Sequence, residues 1–292
     1  MTETKEETKK TGTVALDLLR EFPGHPYKVE DDDCMAELRE SILLHGVIYP
    51  ILIRPIKDGL YEIVSGHRRV YACRKLGMTE IPAIIQKMTR EEAILNMVDS
   101  NLHRERILPS EKAFAYKMKA EALNHQGKAD ITSGQVVPKS DDNRSTAMIG
   151  EQLGESYKTV QRFIRLTNLI PELLEMMDDG RIAFSVGVEL SFLDEDLQYV
   201  VLDACEEYDC TPSYAQAVRM HKGYNAGTLD PDVIYLIMSE EKANQHETVK
   251  ISVDRIKLYV PSRLTSKQLE DFIVKALEFH HRYLQRQRDD AR

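Results

Sequence analysis

Ser65-Gly66-His67-Arg68-Arg69 decides how this chain is read. It follows a strand-like run, Leu60-Tyr61-Glu62-Ile63-Val64, and opens a helix-like run, Val70 to Leu76, which stops at Gly77. A glycine at a strand-to-helix turn lets a ligand approach the backbone closely. The first N–H groups of a new helix attract anions, and two guanidiniums add fixed positive charge beside them. That is the local chemistry of a phosphate site. Taken alone, paired arginines opening a helix read as a solvated face. A second polar stretch, Asp99-Ser100-Asn101-Leu102-His103-Arg104-Glu105-Arg106, changes the weight. It ends the next helix with another phosphate-binding arginine, Arg104, and with an amide, Asn101, able to hold a metal ion or its water.

Working outward, residues 14–125 read as an α/β domain. Met35, Leu38 and Ile42 share one helical face, with Asp31, Asp32 and Asp33 at its positive end and Gly46 after it. Acids favoured by a helix N-terminus explain that run without a metal. Ile51 to Arg54 and Tyr61 to Val64 flank Asp58-Gly59, a hairpin signal. Ile81-Pro82-Ala83-Ile84-Ile85 is a third strand, which Pro82 pushes towards a sheet edge. Thr89 and Glu92 make a capping box, and Pro109 starts a further helix. Residues 1–13 read as a disordered tail and 126–143 as a linker. Residues 144–222 read as a helical domain. Residues 230–292 hold a strand, Thr248 to Val253, and a long amphipathic helix, Ser266 to Gln285.

A chain of 292 residues exceeds the usual single core, so two or three domains are expected. The net charge of −9 argues against non-specific coating of nucleic acid and leaves room for a local basic reading head. The four cysteines have no C-x-x-C spacing, which disfavours zinc. The N-terminus has no apolar h-region, and the longest apolar run, Val47 to Ile53, is broken by Pro50. A cytoplasmic protein without a membrane span is expected.

The stretch from Ser145 to Leu166 reads as a helix-turn-helix. Ile149 and Leu153 pack from the first helix, and Val160, Ile164 and Phe163 from the second. Gly154 makes the turn and Ser156 caps the second helix. The outer face then carries Tyr157, Lys158, Thr159, Gln161, Arg162 and Arg165, with Arg144 upstream. Gln and Arg read base edges, while Lys, Thr and Tyr suit phosphates. Between Arg144 and Leu169 four basic residues face two acidic ones, a local +2 inside a −9 chain. An ordinary helical hairpin has neither that charge contrast nor this combination of glycine turn and cap.

Gly66-His67-Arg68-Arg69, then Asn101-Leu102-His103-Arg104, then Leu108-Pro109-Ser110-Glu111-Lys112-Ala113, then the helix-turn-helix resemble, in that order, the ParB partition proteins. The resemblance covers roughly residues 14–222. It implies an α+β/α multidomain chain: an N-terminal ParB/sulfiredoxin-like α/β domain, a central all-α helix-turn-helix domain and a small C-terminal strand–helix element. It implies that Gly66, His67, Arg68, Arg69, Asn101 and Arg104 hold the phosphates of CTP with Mg2+, Asn101 being the metal-side residue. It implies that Arg144, Ser156, Tyr157, Lys158, Thr159, Gln161, Arg162 and Arg165 meet an inverted-repeat site in double-stranded DNA. A homodimer closing into a nucleoid-associated clamp, working with a ParA-type ATPase, completes the expectation.

Three departures bear on that. Ser100 stands where the family usually carries a metal-binding glutamate, and Asp99 lies about 100° away around the helix, which leaves CTP hydrolysis open. Gly24-His25-Pro26-Tyr27-Lys28 replaces a Gln-Pro-Arg run. His67 occupies the place of the reactive cysteine of sulfiredoxins, so peroxiredoxin repair is not expected. A DNA-binding regulator without nucleotide switching is the alternative, and a small-molecule kinase on the same N-terminal fold is disfavoured by the helix-turn-helix.

Overall fold

The computed structural model describes residues 9–102, 107–129, 141–240, 259–260 and 266–290. Residues up to Glu240 form one compact unit and residues from Glu241 another. Its N-terminal part is a mixed five-stranded sheet made by β1 (Lys10–Ala15), β2 (Leu19–Arg20), β3 (Ile51–Pro55), β4 (Tyr61–Ser65) and β5 (Glu80–Ile85), in the order β1-β5-β3-β4-β2. The β3–β4 hairpin turns at Asp58 and Gly59, both at positive φ. Strand periodicity sends alternate side chains to opposite faces. Ile51, Ile53 and Ile63 pack with Met35 and Ile42 of α1 (Asp33–His45) and Val70 of α2 (His67–Lys75). Val64 and Leu52 point the other way, towards Ile94, Met97 and Val98 of α3 (Arg90–Asn101). Thr89 and Glu92 form the capping box that the sequence signals.

Two readings need correction. Strand β5 lies inside the sheet, antiparallel to β1 and parallel to β3. Pro82 is tolerated there because the ladder to β3 begins only at Ala83. The edges are β1 and β2, and β1 starts at Lys10, inside the stretch read as tail.

The chain continues through α4 (Pro109–Ala129), α5 (Asp141–Leu153), α6 (Tyr157–Arg165), α7 (Pro171–Asp178), α8 (Phe184–Leu190), α9 (Glu195–Glu207), α10 (Tyr214–Asn225) and α11 (Pro231–Ser239). The ends of the expected linker are therefore helical. Helix α11 buries Ile234, Ile237 and Met238 in the same core as Leu173, Leu190 and Val201. It belongs with the helices before it, although the sequence break at Gly223 to Pro231 grouped it with the C-terminal region. The second unit contains α12 (Ser266–Asp290), and the strand expected over Thr248 to Val253 lies outside the described residues. No described helix is long and apolar enough to cross a membrane.

The helical core is pinned by one buried amide. Gln198 donates through Nε2 to the carbonyls of Asn168 (3.0 Å) and Leu193 (2.9 Å), and its Oε1 accepts from Ile170 N–H (2.8 Å). Gln198→Leu conserves size but orphans three backbone groups. It should lower stability by about 2–5 kcal/mol, seen as a lower denaturant midpoint with an unchanged slope; a midpoint like the parent's would show that water replaces the amide.

Candidate functional site

Strand β4 delivers Ser65 to the edge of a small cleft, and the chain turns there at Gly66 with φ 105°. A Cβ on Gly66 would lie 2.6 Å from Ile51 Cγ2, a side chain with no room to retreat in the core. Only glycine therefore allows α2 to start this close to the sheet. The first-turn N–H groups of α2 have no intrahelical partners, and Gly66 supplies no side-chain cap.

The cleft is lined by His25, Tyr27, Lys28, Val29, Gly66, His67, Arg68 and Asn101 and is narrow, with a cavity volume of about 20 Å³. Of the residues singled out in the sequence, Gly66, His67, Arg68 and Asn101 are thus brought together. Arg68 bonds Asp32, the N-cap of α1, at 2.7 and 3.3 Å. Arg69 turns away: its guanidinium bonds the carbonyls of Tyr49 and Pro50. Burial lowers the Arg69 pKa from its ordinary value. Arg104 lies outside the described residues. Asn101 is buried, and its Nδ2 donates to Met97 O at 2.8 Å, beside Ser100 Oγ, which donates to the same carbonyl. Asp99 is held by Lys119 of α4.

His25, Tyr27, Lys28 and Val29 are lining residues that residue patterns did not reveal. His25 stacks on His67 with ring centroids 3.7 Å apart, and its Nδ1 lies 2.8 Å from Tyr27 O. Their signal was the departure at Gly24 to Lys28, visible only as a mismatch. Glu111 of α4 fixes that segment by accepting from Lys28 N–H at 2.7 Å. The lining thus combines Lys28 and Arg68, paired from outside it with Asp178 (3.5 Å) and Asp32 (2.7 Å), two imidazoles and a helix N-terminus, with no carboxylate among the described lining residues. Such a surface receives an anion. Cys73 is fully buried and burial pushes its thiol pKa up, so it is no redox nucleophile.

The second candidate surface is built on α5 and α6. Gly154 takes the left-handed conformation at the turn, and Glu155 N–H returns to Gly150 O at 2.8 Å. A side chain at Gly150 would meet Glu155 O at 2.6 Å, so this close crossing also needs glycine. Ser156 Oγ accepts from Thr159 N–H, spending that hydroxyl on the cap. Ile149, Val160 and Tyr116 form the core beneath, flanked by Leu153, Phe163 and Ile164. Arg144, Tyr157, Lys158 and Arg162 are exposed, while Thr159 and Gln161 are half-buried. Gln161 lines a groove with Lys117, Glu121 and Thr146. Arg165 differs from the reading: its guanidinium sits 3.9 Å from the Phe192 ring centroid and donates to Ser191 O. It anchors α6 to the segment after α8, and it faces inward because Phe192 offers its ring there.

Comparison with known proteins adds the following. The ParB N-terminal domain model matches residues 1–102. The chromosome-partitioning protein Spo0J of Thermus thermophilus is 31% identical over 210 residues, covering 71% of this chain and 70% of that protein. Stage 0 sporulation protein J of Bacillus subtilis is 32% identical over 173 residues, 58% of this chain and 53% of its own. The chain thus spans little more than half of the Bacillus relative. The C-terminally truncated ParB of Caulobacter crescentus, solved in complex with CTP-gamma-S, is 22% identical, with 63% of this chain and 93% of that chain covered and a TM-score of 0.31.

The Arg68 guanidinium, helped by Met35 N–H, holds the Asp32 carboxyl below its usual pKa. A depressed carboxyl stabilises the fold above the ordinary carboxylate range and loses that contribution as pH falls through the lowered value. The group is exposed, so the stabilisation is small. Arg68→Ala should let Asp32 titrate closer to an ordinary aspartate in a carbon-13 NMR titration. An unmoved Asp32 would mean that the pair is not formed in solution.

Proposed function

The chain belongs to the ParB family, and on that premise we propose that it is a site-specific DNA-binding partition protein, a CTP-gated clamp serving a chromosome, plasmid or mobile element. One observation carries the reading. The cationic cleft at Gly66, His67, Arg68 and Asn101 shares a compact unit with a helix-turn-helix whose second helix exposes Tyr157, Lys158 and Arg162. In this reading residues 14–125 are the nucleotide domain and 144–222 the DNA-binding domain, and the protein is cytoplasmic and nucleoid-associated. Arg68 and the first turn of α2 receive the phosphates, and Arg69 and Arg104 join once Arg69 leaves the carbonyls of Tyr49 and Pro50. The donors of the lining suit phosphate oxygens and suit a bare divalent cation poorly, since hard cations want several oxygens; the cleft of about 20 Å³ has to widen to take a triphosphate. Mg2+ would neutralise phosphate charge, with the Asn101 amide oxygen as its protein contact.

An inverted-repeat site needs two reading heads related by a two-fold axis. The C-terminal region beyond Glu240 is the proposed source of that symmetry, because α12 leaves Leu277, Phe279 and Tyr283 exposed. A ParA-type ATPase is the partner that family membership suggests. A second reading, a ParB-like regulator without nucleotide switching, is favoured by the engagement of Ser100, Asn101 and Asp99 in bonds within the protein.

Calorimetry with CTP, ATP and GTP, with and without DNA, separates the two. A charge-assisted hydrogen bond contributes about 1.5–3 kcal/mol, so Arg68→Ala should weaken CTP binding by about tenfold or more. Unchanged CTP affinity in the folded variant would leave the regulator reading standing. On the DNA side, Lys158→Ala should weaken all sequences alike and reduce the salt slope by about 1. Arg162→Ala should cost about 1–3 kcal/mol and relax preference at one base. Parent-like DNA binding by both variants would move the reading head elsewhere.

A further inference from the structure

Lys119 sits in the middle of α4 with its side chain only 2% exposed. Its Nζ donates to Asp99 Oδ1 on α3 and, at 2.6 Å, to Gln152 Oε1 in the last turn of α5. Each acceptor stands beside a candidate functional element. Asp99 precedes Ser100 and Asn101, and Asn101 lines the cleft. Gln152 precedes Leu153 and Gly154, the turn of the helix-turn-helix. The same face of α4 makes a second tie to that turn: Lys112 pairs with Glu155, and Tyr116 Oη donates to Glu155 Oε2 at 3.1 Å.

A buried ammonium tolerates its position only while its protons meet acceptors. Here the acceptors come from two other helices. Neither helix end can move away without costing the buried cation one of its two acceptors, so a displacement at one end is transmitted to the other.

We propose that Lys119 is a positioning residue that couples occupancy of the cleft to DNA binding, as a buried cation bridging the end of α3 to the end of α5. The proposal rests on the nucleotide- and DNA-binding reading above. Lys119 is buried and is not among the residues that line the cleft. A ligand that draws in Asn101 shifts Asp99 and through it Gln152, and DNA that shifts the turn acts back on the cleft by the same amount of free energy, as linkage requires.

The test uses the full chain with Lys119→Met, of similar length without the charge, and Asp99→Ala, which removes the exposed acceptor and keeps the fold even if Lys119→Met does not. The first arm needs no ligand. Gln152→Leu should raise amide hydrogen exchange over residues 95–102 in the parent background, and should leave it unmoved where Lys119→Met or Asp99→Ala has already cut the bridge. The second arm measures CTP-gamma-S affinity by calorimetry, with and without the duplex that the full chain selects from random DNA. The parent affinity should change by about tenfold on adding the duplex, within the range of linked sites. In the variants the change should fall below about twofold while each ligand still binds alone. Undiminished linkage in the folded variants, or no effect of Gln152→Leu on residues 95–102 in the parent background, overturns the proposal. A parent that binds neither CTP-gamma-S nor DNA overturns the functional reading and the coupling with it, an outcome distinct from linkage that survives without Lys119.

Discussion

Helix α4 is buried on several sides, and the arrangement of sheet and reading head depends on that. Ala113 enters the core of the later helices, Ala115 and Ala122 pack with α3, and Tyr116 and Ala120 support α5 and α6. Small residues let three sets of neighbours approach one axis. The polar groups caught inside are each answered. Ser110 N–H donates to Asp178, Glu111 accepts from Lys28 and Leu108 N–H groups, and Lys119 is shared between Asp99 and Gln152. Desolvating such groups costs roughly several kcal/mol per unpaired charge, so the partners are what makes the burial tolerable.

That burial also explains what the sequence did and did not reveal. Elements with one apolar face and a local signal were legible: the hairpin at Asp58-Gly59, the Thr89 capping box, the Gly66 turn and the Ser156 cap. A helix packed on several sides has no single stripe, and α4 was placed by Pro109 alone. Strand β1 was missed because Lys10 to Thr13 are exposed and owe their strand conformation to β5 across the sheet. Pro82 was misjudged for the matching reason: local chemistry says edge, but the ladder to β3 starts one residue later.

The candidate site divides the same way. Gly66, His67 and Arg68 line one cleft because strand, turn and helix are contiguous, and Asn101 joins them from the end of α3. Arg69 and Arg165 carry the expected charge but spend it on backbone carbonyls of Pro50 and Ser191. Which way a guanidinium turns is set by acceptors and rings contributed from distant segments, and no local pattern encodes them. His25 reaches His67 by the same kind of long-range placement.

The strand order has a consequence for how the molecule comes into being. Neighbours β3 and β4 can pair as soon as both leave the ribosome, but β1 must wait for β5, since Lys10 pairs with Ile85 and Ala15 with Glu80. Loop-closure entropy is paid before those distant contacts return anything, which slows formation of the sheet relative to the local helices. Until Ile85 is synthesised, the first strand has no neighbour and the unpaired edge of β3 is open to association with other chains. Synthesis from the N-terminus therefore leaves the α/β part exposed longest at its beginning, while the later helices find their partners within a few turns of chain.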